Sequence, residues 1–250
     1  MNIIIGLFIL SYGIVIGSFL NVCIYRVPRK ESIVSTRSHC MSCGYQLKWY
    51  DLVPVLSYLF LRGKCRSCGK PISIQYPIIE MLNGIIYIII FQKFGFSYTT
   101  ILYCLVASAL LVLSVIDFRI YEIPDGINGL LGGIAVIRVV LDLRNLALYL
   151  IGFFCVSSFL FLIYLISKGS AIGGGDIKLM AVGGLLLGYQ QIFVAFLLGC
   201  ILGSILHLLR MKISKEDRVL AFGPYLSMGI FLSMLYGERI ASWYLNLFQF

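Results

Sequence analysis

The sequence predicts an all-α, polytopic membrane protein: about eight transmembrane helices, with a small cytoplasmic four-cysteine lobe inserted after the first. Three observations carry this. The 250 residues are 60% hydrophobic and only 12% charged, with a mean hydropathy of +0.96, which is more apolar surface than a water-soluble fold can hide. The apolar residues fall into long runs near the roughly 20 residues that cross a bilayer. The only sizeable polar stretch carries two Cys-x-x-Cys pairs.

The expected spans are about 3–25, 77–92, 98–117, 125–141, 146–167, 177–188, 190–210 and 220–247. The run Met1 to Tyr25 lacks a basic start, and Gly17-Ser18-Phe19-Leu20-Asn21 is a poor cleavage site, so it is expected to stay as a first span. Gly237-Glu238-Arg239 interrupts the last run, which reads as a span plus a tail. Orientation follows from Lys and Arg. With the N-terminus outside, sixteen of the twenty fall in the inside segments 26–76, 118–124, 168–178 and 210–218. Three parts are expected: a first helix at 1–25, a cytoplasmic lobe at 26–76 and a membrane domain at 77–250.

A net charge of +9 does not here indicate nucleic acid. The cations lie in loops rather than on an amphipathic or aromatic-interleaved surface, and a basic cytoplasmic segment also suits anionic headgroups of the lipid bilayer. Among the eight cysteines, Cys23, Cys104, Cys155 and Cys200 lie singly in apolar runs and are expected to be packing residues. Cys40-Met41-Ser42-Cys43 and Cys65-Arg66-Ser67-Cys68 stand twenty-one residues apart, each followed by a glycine. Four thiolates so arranged can close a tetrahedron around zinc, and a lobe of this size folds poorly without such a staple. A redox pair is the other reading, which a reducing cytoplasm disfavours. His39 borders the first pair as a neighbour, and His207 stands alone in an apolar run.

Two carboxylates stand out because an ionisable residue in a membrane helix is costly and so reads as functional. Asp117 closes one apolar run, and Asp176 follows Gly173-Gly174-Gly175 at the head of a short one. Three glycines permit positive φ and close approach, so this loop is expected to fold into the mouth of the bundle. The topology places both aspartates at the cytoplasmic ends of their helices. Two such groups cannot both ionise cheaply, so one activates water while its protonated partner polarises an amide carbonyl. Asp176 at a helix N-terminus is the expected base, and Asp117 near a C-terminus the expected acid. Asp125 reads as a helix-start residue after Pro124, and Arg119 and Glu122 as loop residues. Paired intramembrane carboxylates also suit a proton-coupled transporter, the alternative reading. Such a protein has no need of the cysteine lobe.

Taken in order, several motifs resemble the type IV prepilin peptidases, a family of GxGD-type intramembrane aspartyl proteases. They are Gly17 to Val22 with Arg26 and Pro28, the cysteine pairs, Asp51-Leu52-Val53-Pro54 with Ser57, Arg62-Gly63-Lys64-Cys65, Tyr76-Pro77 with Glu80, Asp117 to Asp125, and Gly173 to Lys178. Met41 stands where relatives often carry proline. The resemblance implies a bacterial inner-membrane enzyme with Asp117 and Asp176 as catalytic residues. It implies a prepilin or pseudopilin substrate whose short leader is removed at the cytoplasmic face. It further implies N-methylation of the new N-terminus with S-adenosylmethionine, for which Glu80, Gly17 and Asn21 are the candidate residues. No nucleotide-binding strand–glycine–helix fingerprint is present, and nothing in the pattern bears on oligomeric state.

Overall fold

A computed structural model describes residues 3–214 and 220–247. The expected basic loop 210–218 therefore lies partly outside the described residues. Helices occupy all eight expected positions: α1 (Ile3–Arg26), α3 (Gln75–Phe94), α4 (Tyr98–Ile120), α5 (Asp125–Leu141), α6 (Leu146–Ile166), α7 (Gly174–Leu187), α8 (Tyr189–Ser214) and α9 (Gly223–Asn246). A short α2 (Leu56–Phe60) lies in the lobe. No strand is present among the described residues, only two isolated bridges. The choice of helix follows from the solvent, because backbone groups in hydrocarbon must be satisfied within the segment.

Five stretches among the described residues are long and apolar enough to cross a membrane: α1, α3, α4, Leu143–Ile166 and Tyr189–Leu209. The other three expected spans depart from that standard for distinct reasons. With 17 and 14 residues, α5 and α7 reach only about 26 and 21 Å, against about 30 Å of hydrocarbon. α9 has 24 residues but is more polar. It also runs unbroken through Gly237-Glu238-Arg239, where an interruption was expected; Glu238 accepts from Gln191 Nε2 at 3.2 Å on α8.

The chain forms two compact units, 1–108 and 109–250, with α4 contributing to both. In the first, α1 and α3 run antiparallel in a regular register. Asn83 donates to Gly13 O at 2.8 Å, and Asn21 to Tyr76 O at 3.2 Å. Small residues let the two backbones approach, as membrane helices commonly do: a Cβ on Gly13 would stand 2.7 Å from Gly84 Cα, and one on Gly17 2.7 Å from Glu80 Cα. A buried chain, Tyr87 Oη to Ser108 Oγ at 3.0 Å and Ser108 Oγ to Asn83 Oδ1 at 2.9 Å, ties α3 to the middle of α4. Gly84→Val should therefore cost about 1–3 kcal/mol of overpacking, read as a lowered melting temperature in detergent.

In the second unit α7 is the centre, touching α5, α6, α8 and α9. It buries Leu179, Met180, Ala181, Gly183, Gly184, Leu186 and Leu187, half its length. A helix apolar on every side must be enclosed by others, and a short one is tolerated in a membrane where protein surrounds it. Gly184 and Gly152 bring α7 and α6 into backbone contact.

Candidate active site and metal-binding cluster

Asp117 and Asp176 both belong to the second unit, at the same end of its bundle. Asp117 lies in the last turns of α4, only 5% exposed, and its Oδ2 accepts the Gly223 N–H at 2.9 Å. Asp176 is half-buried in the first turn of α7. Gly175, the residue before Asp176, and Gly223, which donates to Asp117, both pack on Ile123, which brings the two carboxylates into one neighbourhood. Ile123 fills the space between their supports: a Cβ on Gly175 would stand 2.8 Å from Ile123 Cβ, and one on Gly223 3.2 Å from Ile123 Cδ1.

Two links bind α5 to α7 here. Asn128 donates to Gly175 O at 3.4 Å, and Lys178 pairs with Asp125 at 2.6 Å. The N-terminus of α7 thus bears one carboxylate and that of α9 faces the other, while α5 begins beside α7. Helix N-termini carry partial positive charge, which offsets the cost of two acids side by side.

Three expectations change. The glycines of 173–175 adopt no positive φ. Gly174 and Gly175 are already helical, and Gly175 is needed for room against Ile123. Arg119 is in the last turn of α4, not in a loop. The expected contrast between an N-terminal Asp176 and a C-terminal Asp117 gains a further helix end, since Asp117, still in the last turns of α4, also faces the N-terminus of α9. Asp125 does begin α5. Sequence reasoning missed Gly223, Ile123 and Asn128. Only Gly223-Pro224 carried a signal, as a helix start with proline in the first turn.

In the first unit the four cysteines of the two pairs converge. Their sulfurs lie within 4.8 Å of one another, and Cys40 Sγ and Cys68 Sγ are 4.0 Å apart. Zinc–sulfur bonds of about 2.3 Å imply sulfurs about 3.8 Å apart in a tetrahedron, so the donor set fits that ion. The two turns are copies of each other. Gly44 N–H bonds Cys40 O and Gly69 N–H bonds Cys65 O, each at 2.9 Å, and both glycines have positive φ, 71° and 69°. The Ser42 N–H, the largest of several influences, brings the Cys40 thiol down to about 6, while Cys43, against the Tyr45 N–H, is pushed up to about 11 by desolvation and the three other cysteines, so Cys40 is the readier thiolate of the two. Asp51 pins the second turn through Arg66 at 2.8 Å. His39 lies outside the sulfur cluster and bonds Arg37 O. Of the single cysteines, Cys155 is exposed on α6 rather than packed, while Cys23, Cys104 and Cys200 are half-buried.

Glu80, Gly17 and Asn21 meet along the α1–α3 seam. Glu80, 5% exposed, accepts the Val55 N–H at 2.7 Å. Val55 sits at φ 61°, ψ −52°, with Leu56 N–H bonded back to Pro54 O at 2.6 Å. A β-branched residue is strained there, and the buried carboxylate holds it in place. Asn21, 1% exposed, is bonded by Gln75 Nε2 at 3.3 Å.

A multi-pass helical membrane protein with a four-cysteine lobe and two neighbouring acids at one bundle end is the class this geometry defines. The chain belongs to the type IV leader peptidase family: that family's model matches residues 104–208, and the bacterial peptidase A24 N-terminal domain matches residues 11–94. It is 34% identical over 240 residues to the prepilin leader peptidase/N-methyltransferase of Bacillus subtilis (strain 168), covering 94% of this chain and 96% of that relative. The protein of the same name from Legionella pneumophila is 30% identical over 277 residues, 98% and 95% of the two chains. That of Myxococcus xanthus (strain DK1622) is 34% identical over 209 residues, 82% of this chain and 62% of the relative. No solved structure matches the chain.

Proposed function

We propose that the protein removes the leader from type IV prepilins or pseudopilins with Asp117 and Asp176 as the catalytic pair. It then methylates the new N-terminal amine with S-adenosylmethionine. The observation that carries the first step is the pair itself: two neighbouring carboxylates at the end of a membrane bundle, one borne by the N-terminus of α7 and the other facing that of α9. Such a pair shares one proton near neutrality. The ionised member takes a proton from water as that water attacks the scissile carbonyl, and the protonated member donates a hydrogen bond to the carbonyl oxygen. The proton then passes to the departing amine. The Gly223 N–H and the helix N-termini keep negative charge affordable at the site.

On this reading residues 1–25 anchor the chain, 26–76 form the metal-bound cytoplasmic lobe and 77–250 the peptidase membrane part. All eight long helices are embedded, with α5 and α7 held by their neighbours, the N-terminus outside and the aspartates at the cytoplasmic face of the inner membrane. That depth suits a bond just outside the hydrophobic helix of a pilin. Cys40, Cys43, Cys65 and Cys68 would hold zinc, which supplies folding energy to the lobe. Glu80, with Gly17 and Asn21 beside it, serves the methyl-transfer step as a buried carboxylate able to attract the positive sulfonium of the donor.

The experiment is direct. Purified protein in detergent with a prepilin should cut the substrate mass by its leader, and added S-adenosylmethionine should then add one methyl group. Leader loss with no methyl gain would remove the second activity and leave the first. Gly223→Val is a sharper probe of geometry. A Cβ there would lie 2.7 Å from Asp117 Oδ2, and displacing the carboxylate by about 1 Å should lower the cleavage rate about 100-fold, measured on the same substrate.

A further inference from the structure

At the end of the second unit away from the aspartates, α8 and α9 leave a groove of about 400 Å³ between them, lined by Leu198, Leu232, Tyr236, Arg239, Ile240 and Trp243. The groove follows from how the two helices meet. Gly229 and Ala195 bring the backbones together, and Gly199 packs beneath Leu226, so the facing stripe of α9 is consumed in close contact. Leu232, Tyr236, Ile240 and Trp243 form a neighbouring stripe at helical spacing that is left open beside it.

The wall of the groove is apolar throughout, and Arg239, the one charged residue lining it among the described residues, contributes its carbon stem and leaves its guanidinium outside the wall. It is exposed and forms no ion pair among the described residues, while the adjacent Glu238 is turned to Gln191 at 3.2 Å. Arg239 is sixteen residues beyond Gly223, about 24 Å along α9 in a hydrocarbon layer of about 30 Å. Exposed Tyr236, Trp243 and Tyr244 surround that depth, as aromatic residues do where hydrocarbon gives way to headgroups. That leaves the Arg239 backbone about 6 Å inside the layer, a gap that its long side chain spans to bring the guanidinium to headgroup depth above the apolar furrow, where it matches a phosphate joined to an acyl chain. The planar fork of Arg binds phosphate oxygens in pairs.

We infer that this groove is a binding site for one anionic phospholipid, its acyl chain lying along Leu198, Leu232 and Ile240 and its phosphate on Arg239. The groove lies in the second unit, toward the end of α9 away from Asp117, and the inference rests on α9 being embedded as proposed above but not on the proposed reactions.

Native mass spectrometry tests it on the full-length protein. The detergent-solubilised chain is exposed to equal amounts of phosphatidylglycerol and phosphatidylethanolamine. One cation near a membrane surface is worth about a fivefold preference for the anionic lipid. The wild type should retain phosphatidylglycerol by about that factor, and Arg239→Gln should abolish the preference. Arg144→Gln, at the same end of the bundle but outside the groove, should keep it. Leu232→Trp, which fills the furrow and leaves the cation, should lose retention of both lipids. Soluble glycerol phosphate should not displace the bound lipid. No preference in the wild type, preference surviving in Arg239→Gln, equal loss in Arg144→Gln, full retention in Leu232→Trp or displacement by glycerol phosphate would each overturn the site.

Discussion

Asp117→Asn and Asp176→Asn are each expected to lower leader removal by about 100-fold to 10,000-fold, the range for removing a positioned acid or base. The double variant should be no slower than the worse single one, because groups that act as one unit are not additive. Asparagine keeps the shape and the hydrogen bond from Gly223 to Asp117, so the fold should persist. Monodispersity and melting temperature check that point, and leader loss by mass reads the rate. The physical reason for equal sensitivity lies in the shared proton. Asn at either position removes one of the two states that the reaction alternates between. It also removes one ionisable group from a costly buried position, so each variant should be as stable as the wild type or slightly more so. A loss of activity without a loss of stability separates a catalytic role from a packing one.

Removal of metal from the lobe should have the largest effect on structure. Cys65 is the buried member of the cluster, and its turn also carries Arg66 on Asp51. Zinc bound by four thiolates contributes about 10–16 kcal/mol to folding in small zinc modules, far more than a lobe with few buried residues can supply otherwise. Cys65→Ser, or treatment with a strong chelator, should release one zinc per chain by elemental analysis. Residues 27–74 should then become sensitive to limited proteolysis. Full zinc content in Cys65→Ser would contradict a four-sulfur site, and a resistant lobe without zinc would contradict its structural role.

Most of the architecture was legible because hydrophobic runs and helices obey the same constraint in a membrane. Helices stand at each of the eight expected positions, and the cysteine spacing correctly brought four sulfurs together. Local sequence could not reveal relations between distant segments. The run at 177–188 looked like a short span; its shortness is explained by four surrounding helices, which no window of sequence contains. The loop glycines suggested backbone freedom, whereas Gly175 serves to admit Ile123 from fifty-two residues away. The role given to Asp117 considered only the helix that bears it. Gly223, 106 residues further on, brings the opposite end of another helix to the same carboxylate. Glu80 was marked by the family resemblance alone, and its partner is the backbone of Val55, a contact with no side-chain signature at all.

The most direct test uses nothing but the purified chain and one prepilin. Mixed in detergent and followed by intact mass, the wild type should shorten the substrate by its leader, while Asp176→Asn, equally folded, should leave it whole. Cleavage by Asp176→Asn at the wild-type rate would contradict the pairing of the two aspartates as the cutting site.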